Sequence, residues 1–212
     1  MSDTSGPHSR QIAAGRPVVT LFEAYGSGAT EIGRRVAEEL GVPWIGQSHS
    51  SDELEAADPR GSGKIDLNAF YNALAWSDTA SVHLVEDPAV GRAREQNQQV
   101  LELVENGGVI LGRNATIILA DVPGALHVKL DAPLDDRLDY AVAHESISRE
   151  VAAKRQIRED RARAEMSLML WQWDPRLTSN YDLVLNTTSF GVERCVEIIV
   201  KCSREQMAKA GY

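Results

Sequence analysis

The chain has 212 residues, of which 43% are apolar and 25% charged, the profile of a water-exposed globular protein with room for a sizeable core. Its formal charge of −9 argues against broad, sequence-blind attraction to nucleic acid or to an anionic membrane surface, since both reward excess Lys and Arg. No apolar run approaches the roughly 18 residues that a membrane helix needs.

The polar stretch 1–16, rich in Ser, Gly and His, reads as a flexible tail without the apolar centre of a signal peptide. Val18-Val19-Thr20-Leu21-Phe22 is then a β-branched, apolar run of the kind that forms a buried strand. Gly26 and Gly28 break it, and Ile32, Val36 and Leu40 recur every four residues, so a helix follows directly. Gly41 and Pro43 stop that helix, and a short second strand is expected at Pro43 to Ile45.

Residues 46 to 90 are the least readable. Loops are expected at Ser48 to Ser51 and Asp58 to Gly63, and a helix over Leu67 to Trp76. A Gln- and Glu-rich helix spans Gly91 to Asn106 and ends at Asn106-Gly107. Val109 to Leu111 and Leu126 to Leu130 read as strands, and Asp135 to His144 as a helix. Ser148 is the expected N-cap of a charged helix over Arg149 to Glu165. A last strand, Tyr181 to Leu185, precedes a C-terminal helix from about Val192 to Lys209. Strands alternating with helices imply a mainly parallel sheet covered on both faces.

Cys195 and Cys202 lie seven residues apart on that final helix. Their separation of about 10 Å along the axis is too great for a disulfide, so free thiols in a reducing, cytoplasmic setting are expected. The five histidines, His49, His83 and His127 among them, lack metal-ligand spacing.

Position gives Tyr25-Gly26-Ser27-Gly28-Ala29-Thr30 its chemistry. A helix N-terminus offers unpaired N–H groups and partial positive charge, and glycines let the backbone curl around an anion. Thr30 stands where the hydroxyl of the usual phosphate loop helps to hold Mg²⁺, although Ala29 replaces the usual lysine and Glu23 the first glycine. The plainer alternative is a tight turn chosen for packing.

The run Tyr25 to Gly33 resembles the start of the cytidylate kinase-like family, a branch of the nucleoside monophosphate kinases whose phosphate loop also lacks the lysine. Val109-Ile110-Leu111-Gly112-Arg113-Asn114-Ala115 looks like that family's strand and Gly-Arg turn. Ile157 and Asp160 to Arg163 resemble its lid helix, and Tyr181 to Thr187 its final strand and turn. Leu111 and Gly46 depart from it, standing where the family shows acidic residues, and 46–105 is not closely similar.

The resemblance implies an α/β fold: a three-layer P-loop NTPase-like parallel sheet flanked by helices. It also implies one kinase-like domain over 17–212, with a helical acceptor-binding insert at about 46–106 and a helical lid at about 145–178. ATP and Mg²⁺ are the implied cofactors, with Tyr25 to Thr30 holding phosphates and a nucleotide, CMP or dCMP first, as acceptor. Arg113, after a strand's C-terminal end, is placed to fork onto an acceptor phosphate, or simply to cap its turn.

The segment Arg149 to Glu165 holds six basic residues against four acids. Arg155, Arg158 and Arg163 are candidates to stabilise the transferred phosphoryl group, with Asp160 orienting Arg163; pairs such as Arg155–Glu159 and Arg161–Glu165 on a solvated face are the alternative. Trp171, Trp173 and Met166 to Leu170 read as core or interface. Asn186 and Thr187 either face a nucleobase or cap a turn. A small-metabolite kinase and an inactive nucleotide-binding regulator are the other readings, and homo-oligomer formation is left open.

Overall fold

The computed structural model describes residues 15–48, 50–57 and 88–212. The expected tail, apart from its last two residues, the helix over Leu67 to Trp76, His49 and His83 lie outside them. Strand β1 (Val18–Glu23) leads through the glycine turn to α1 (Ala29–Leu40). Next come β2 (Trp44–Ile45), α2 (Ser51–Ala57), α3 (Pro88–Leu103), β3 (Gly108–Leu111) and the short α4 (Ala115–Ile118). The chain closes with β4 (Leu126–Asp131), α5 (Leu134–Glu145), α6 (Arg149–Trp171), β5 (Leu183–Asn186) and α7 (Thr187–Lys209).

The five strands form one parallel sheet in the order β2-β3-β1-β4-β5. Strands β1 and β3 are buried on both faces at all or nearly all positions, which is why both read as unbroken apolar runs. Alternation splits their side chains between two cores. Val19, Leu21, Val109, Leu111, Val128 and Leu130 face α1 and α7, where Ile32, Val36, Cys195 and Ile199 close the layer. Val18 and Ile110 face the opposite side and meet Val100 of α3, Val104 just beyond its end, and Leu119. A buried polar line interrupts this second face: Thr20 Oγ1 lies 3.0 Å from Thr116 Oγ1 and 2.8 Å from His127 Nδ1. His127 is thus a satisfied core histidine, its pKa pushed down by burial against the opposing charge of Asp182.

Several expected boundaries move. Ser51 opens α2 instead of closing a loop, and the final strand is Leu183–Asn186. Helix α6 runs past Glu165 to Trp171, capped by Ser148 Oγ accepting from the Val151 N–H at 3.3 Å. The stretch Met166 to Leu170 is therefore one more turn and a half of that helix. Helix α7 starts at Thr187, but Gly191 (φ 72, ψ 164) kinks it, so the regular part begins where the apolar spacing does. Asn186 caps it by accepting from the Ser189 N–H at 3.0 Å, the turn-cap alternative of the two expected for it. Both cysteines are free. Among the described residues no helix is long and apolar enough to cross a membrane.

Gly33 lets α1 approach the sheet. A Cβ there would lie 2.1 Å from Trp44 Cζ3 and 2.8 Å from Leu21 Cδ1. Gly33→Ala gains about 1 kcal/mol of helix propensity but overpacks this contact. The expected net loss of about 1–2 kcal/mol shows as a lower denaturant midpoint with an unchanged m-value; an unchanged or raised midpoint would contradict the packing.

Candidate active site

The chain leaves β1 toward one edge of the sheet and leaves its neighbour β3 toward the other, so the crevice at their C-terminal ends is the topological switch point where parallel sheets take ligands. Both sequence-selected loops open onto it.

After Glu23 the loop turns on two left-handed glycines, Gly26 (φ 80) and Gly28 (φ 77), the second being the N-cap of α1. Their Cβ directions are occupied: an added Cβ at Gly26 would lie 2.3 Å from the Arg137 carbonyl oxygen, and one at Gly28 3.2 Å from the Tyr140 ring. Glycine is thus required here by packing as well as by conformation. Ser27 is only 3% exposed, and its Oγ has no hydrogen-bond partner. Ala29 and Thr30 open a 12-residue helix, so their N–H groups lack intrahelical acceptors. A turn built in this way, with an unsatisfied buried hydroxyl, fits a phosphate.

Helix α6 fastens this loop. Asp160 Oδ1 accepts from the Tyr25 N–H at 2.8 Å, while its Oδ2 accepts from Arg137 Nη1 at 3.1 Å and from Gln156 at 2.8 Å. Arg137 also donates to the Tyr25 carbonyl at 3.0 Å and to Ala132 O at 3.1 Å. The Tyr25 hydroxyl donates to Glu145 Oε2 at 2.9 Å, and burial with that carboxylate pushes its pKa well up.

The helix's arginines are held by carboxylates. Arg163 Nη2 reaches Glu23 Oε1 at 3.1 Å and Glu159 Oε2 at 2.8 Å, with Asp160 3.6 Å from Nη1. Burial opposes its charge, but these three carboxylates together hold its pKa above the ordinary value. Arg155 pairs with Glu145 at 3.0 Å and with Asp52 of α2 at 2.7 Å, not with Glu159. Arg158 is buried, 4% exposed. Of the two pairs that charge spacing suggested, Arg161–Glu165 forms on the exposed face, where Lys154 also pairs with Glu150 at 2.8 Å.

The turn after β3 is left-handed at three successive residues, Gly112 (φ 71), Arg113 (φ 57) and Asn114 (φ 54). Such a run is uncommon outside glycine and is held here by its partners. Arg113 donates from Nε to Gly46 O at 3.0 Å and from Nη2 to Gln47 O at 3.4 Å, pinning the segment that follows β2. Asn114 bridges α3 and α6, donating to Gln96 at 2.8 Å and accepting from Ser167 Oγ at 2.6 Å.

Two openings result. A groove in front of α1 is bordered by Tyr25, Gly26, Gly28 to Glu31, Tyr140 and Glu145. A cleft of about 770 Å³, its open mouth included, is bordered by Arg113, Asn114, Gln96, Arg163, Met166 and Trp173. Glu23 and Gln47 border both. The structure therefore brings Tyr25, Asp160 and Arg163 together and sets Arg113 across the cleft. Arg155 sits toward α2, and Trp173 forms a wall rather than buried core. Arg137, Glu23 and Glu159 escaped the sequence reading: nothing in the pattern around Arg137 marks it, although Glu23 already stood out as the residue replacing a loop glycine.

Glu23 and Glu159 have raised pKa values, burial being the main cause in each and Arg163 working against it. A carboxyl raised on folding lends stability that is full below the ordinary value near 4.5 and is lost as pH climbs through the folded value. Glu159→Gln is expected to flatten the decline of stability above pH 4.5 in denaturation series across pH; an unaltered slope would contradict the assignment.

The comparisons agree with this fold. The profile of the cytidylate kinase-like family matches residues 18–189. Cytidylate kinase from Methanopyrus kandleri is 27% identical over 190 residues, spanning 86% of this chain and 90% of that protein. A uronate isomerase from Corynebacterium glutamicum is 41% identical over 109 residues, but the match spans about a fifth of that relative, 21%, and 51% of this chain. A crystal structure of a protein from Eubacterium ventriosum superposes with a TM-score of 0.62 at 15% identity, covering 89% of this chain and 98% of the other, a likeness of fold alone.

Proposed function

The chain belongs to the cytidylate kinase-like family, and from that premise we propose that it transfers the terminal phosphoryl group of ATP to a nucleoside monophosphate, CMP or dCMP first, in the cytoplasm. The observation that carries the reading is the shared Glu23–Gln47 wall: the groove at the helix start and the cleft at Arg113 meet there, so a donor in one and an acceptor in the other share a boundary.

In this reading Tyr25 to Thr30 cradle the ATP phosphates through main-chain N–H groups and the Ser27 hydroxyl. Thr30, exposed on the first turn of α1 and bordering the groove, supplies the hard oxygen that suits Mg²⁺. That ion contributes neutralisation of phosphate charge. Arg113 holds the acceptor. Arg163 and Arg155 meet a phosphate only by exchanging carboxylates they now grip, while Asp160 keeps the loop in register; Arg158 lies buried on the same helix. Chemistry of this kind is mostly positioning and electrostatics, which the fixed loop favours. A second reading, a small hydroxyl-bearing acceptor in the same cleft, draws support from the carboxylate of Glu23 at the shared wall.

Purified protein with ATP, Mg²⁺ and a panel of nucleoside monophosphates is expected to yield diphosphate, fastest with CMP or dCMP. ATP affinity without transfer to any acceptor would instead indicate a nucleotide-binding regulator. In an active enzyme Arg113→Ala should raise the acceptor KM about 10–100-fold, the worth of a charge-assisted hydrogen bond or two, with the ATP Kd unchanged. Equal loss of both affinities would contradict the assigned role.

A further inference from the structure

Arg113 and Asn114 are consecutive left-handed residues whose side chains fasten to different walls of one cleft. Arg113 turns to the segment after β2, where Nε and Nη2 meet main-chain carbonyls and Nη1 stays outside both bonds. Asn114 turns to α3 and α6. The cleft therefore has a cation at Arg113 and a group of amides at Asn114 and Gln96, with Met166 and Trp173 also on its border. Such a pairing suits a ligand that carries an anion at one end and a flat polar ring at the other.

The amide end has a defined polarity. Trp171 Nε1, which can only donate, reaches Gln96 Oε1 at 3.5 Å, and Asn114 Nδ2 donates to the same oxygen at 2.8 Å. Asn114 Oδ1 in turn accepts from Ser167 Oγ at 2.6 Å. Reversing the Gln96 amide would set its N–H groups against the indole N–H. Its oxygen is thus engaged inside the protein, while Nε2, with two N–H donors, lies outside both contacts. Gln98 and Gln99 of the same Gln-rich helix are exposed, and Gln98 bonds to Glu102 on the outer face. Gln96 is half-buried and borders the cleft.

A fixed pair of donors selects among base edges. Cytosine presents O2 and N3 side by side, both acceptors, so the amide meets lone pairs across that edge. Uracil carries a hydrogen on N3 and guanine on N1, which would face the amide with a donor of their own. Adenine sets its N1 acceptor beside a C–H.

We infer that Gln96 sets the base specificity of the acceptor site, its Nε2 donating to the O2–N3 edge of cytosine while Arg113 holds the phosphate. That role rests on the nucleoside monophosphate reading of this cleft and deepens it by naming the group that tells CMP from UMP. When uracil replaces cytosine, the site loses a hydrogen bond and buries an unpaired donor, and sites built on hydrogen bonds discriminate by that penalty.

The test measures kcat/KM for CMP and UMP, with saturating ATP and Mg²⁺, in wild type and Gln96→Glu. The carboxylate keeps one oxygen for Trp171 and Asn114 and turns the other, an acceptor, toward the base, where it fits the N3–H of uracil. Its repulsion of a phosphate is common to both substrates and cancels in their ratio. Wild type is expected to favour CMP about 10–100-fold. Gln96→Glu should lower that ratio by about tenfold or more, through the acceptor KM, with the ATP Kd unchanged. In the wild type, 3-deaza-CMP, with C–H in place of N3, should fall about tenfold below CMP, a measurement that needs no variant. An unchanged CMP:UMP ratio in folded Gln96→Glu protein, a wild type that favours UMP, or equal use of CMP and 3-deaza-CMP overturns the inference and leaves the kinase reading standing. Absence of turnover and binding of every monophosphate removes that reading, and this role of Gln96 with it.

Discussion

Asp160 accepts the main-chain N–H of Tyr25 and the guanidinium of Arg137 at once, and the shape of the glycine turn between β1 and α1 depends on that double contact. The loop's two left-handed glycines make it pliable when taken alone. A carboxylate gripping one end, with Arg137 tying the Tyr25 carbonyl from α5, removes that freedom before any ligand arrives. The Glu23–Arg163 pair, one turn further along α6, repeats the fastening from the strand side. Helix α6 is in this sense a brace for that turn first.

Holding charge in this way has a cost in desolvation that only well-paired partners offset. Arg163 satisfies the condition with three carboxylates around it, and Arg155 with Glu145 and Asp52. Removing Arg163 would leave the buried carboxylates of Glu23 and Glu159 without their shared cation, typically several kcal/mol. The interior of the site is therefore pre-charged with both signs, and a phosphate entering it competes with carboxylates rather than filling a bare positive pocket.

The sheet was legible because β1 and β3 are buried on both faces and so are written as unbroken apolar runs. The helix start at Ala29 followed from the glycines, and the cap at Ser148 from its hydroxyl. Side-chain partnerships were less legible. Arg155 has an acid four residues on, yet it chooses Glu145 and Asp52, because partners brought in by tertiary packing outcompete a helix-surface pair worth only tenths of a kcal/mol. Arg137 sits on a helix whose spacing says nothing of Tyr25, 112 residues away in sequence. The mid-chain stretch carries little periodicity, so even the start of α2 at Ser51 went unread.

The strand order has a kinetic corollary. Strand β1 is hydrogen-bonded along both sides, to β3 and to β4, and it carries the glycine turn at its end. Its amides should be among the slowest to exchange with deuterated solvent, since releasing them requires opening the sheet's centre. Strand β2 has two residues and one neighbour, and it carries the chain toward α2. That margin can detach in sub-global openings of low free energy while the centre of the sheet stays intact, so breathing of the sheet is concentrated at its β2 edge.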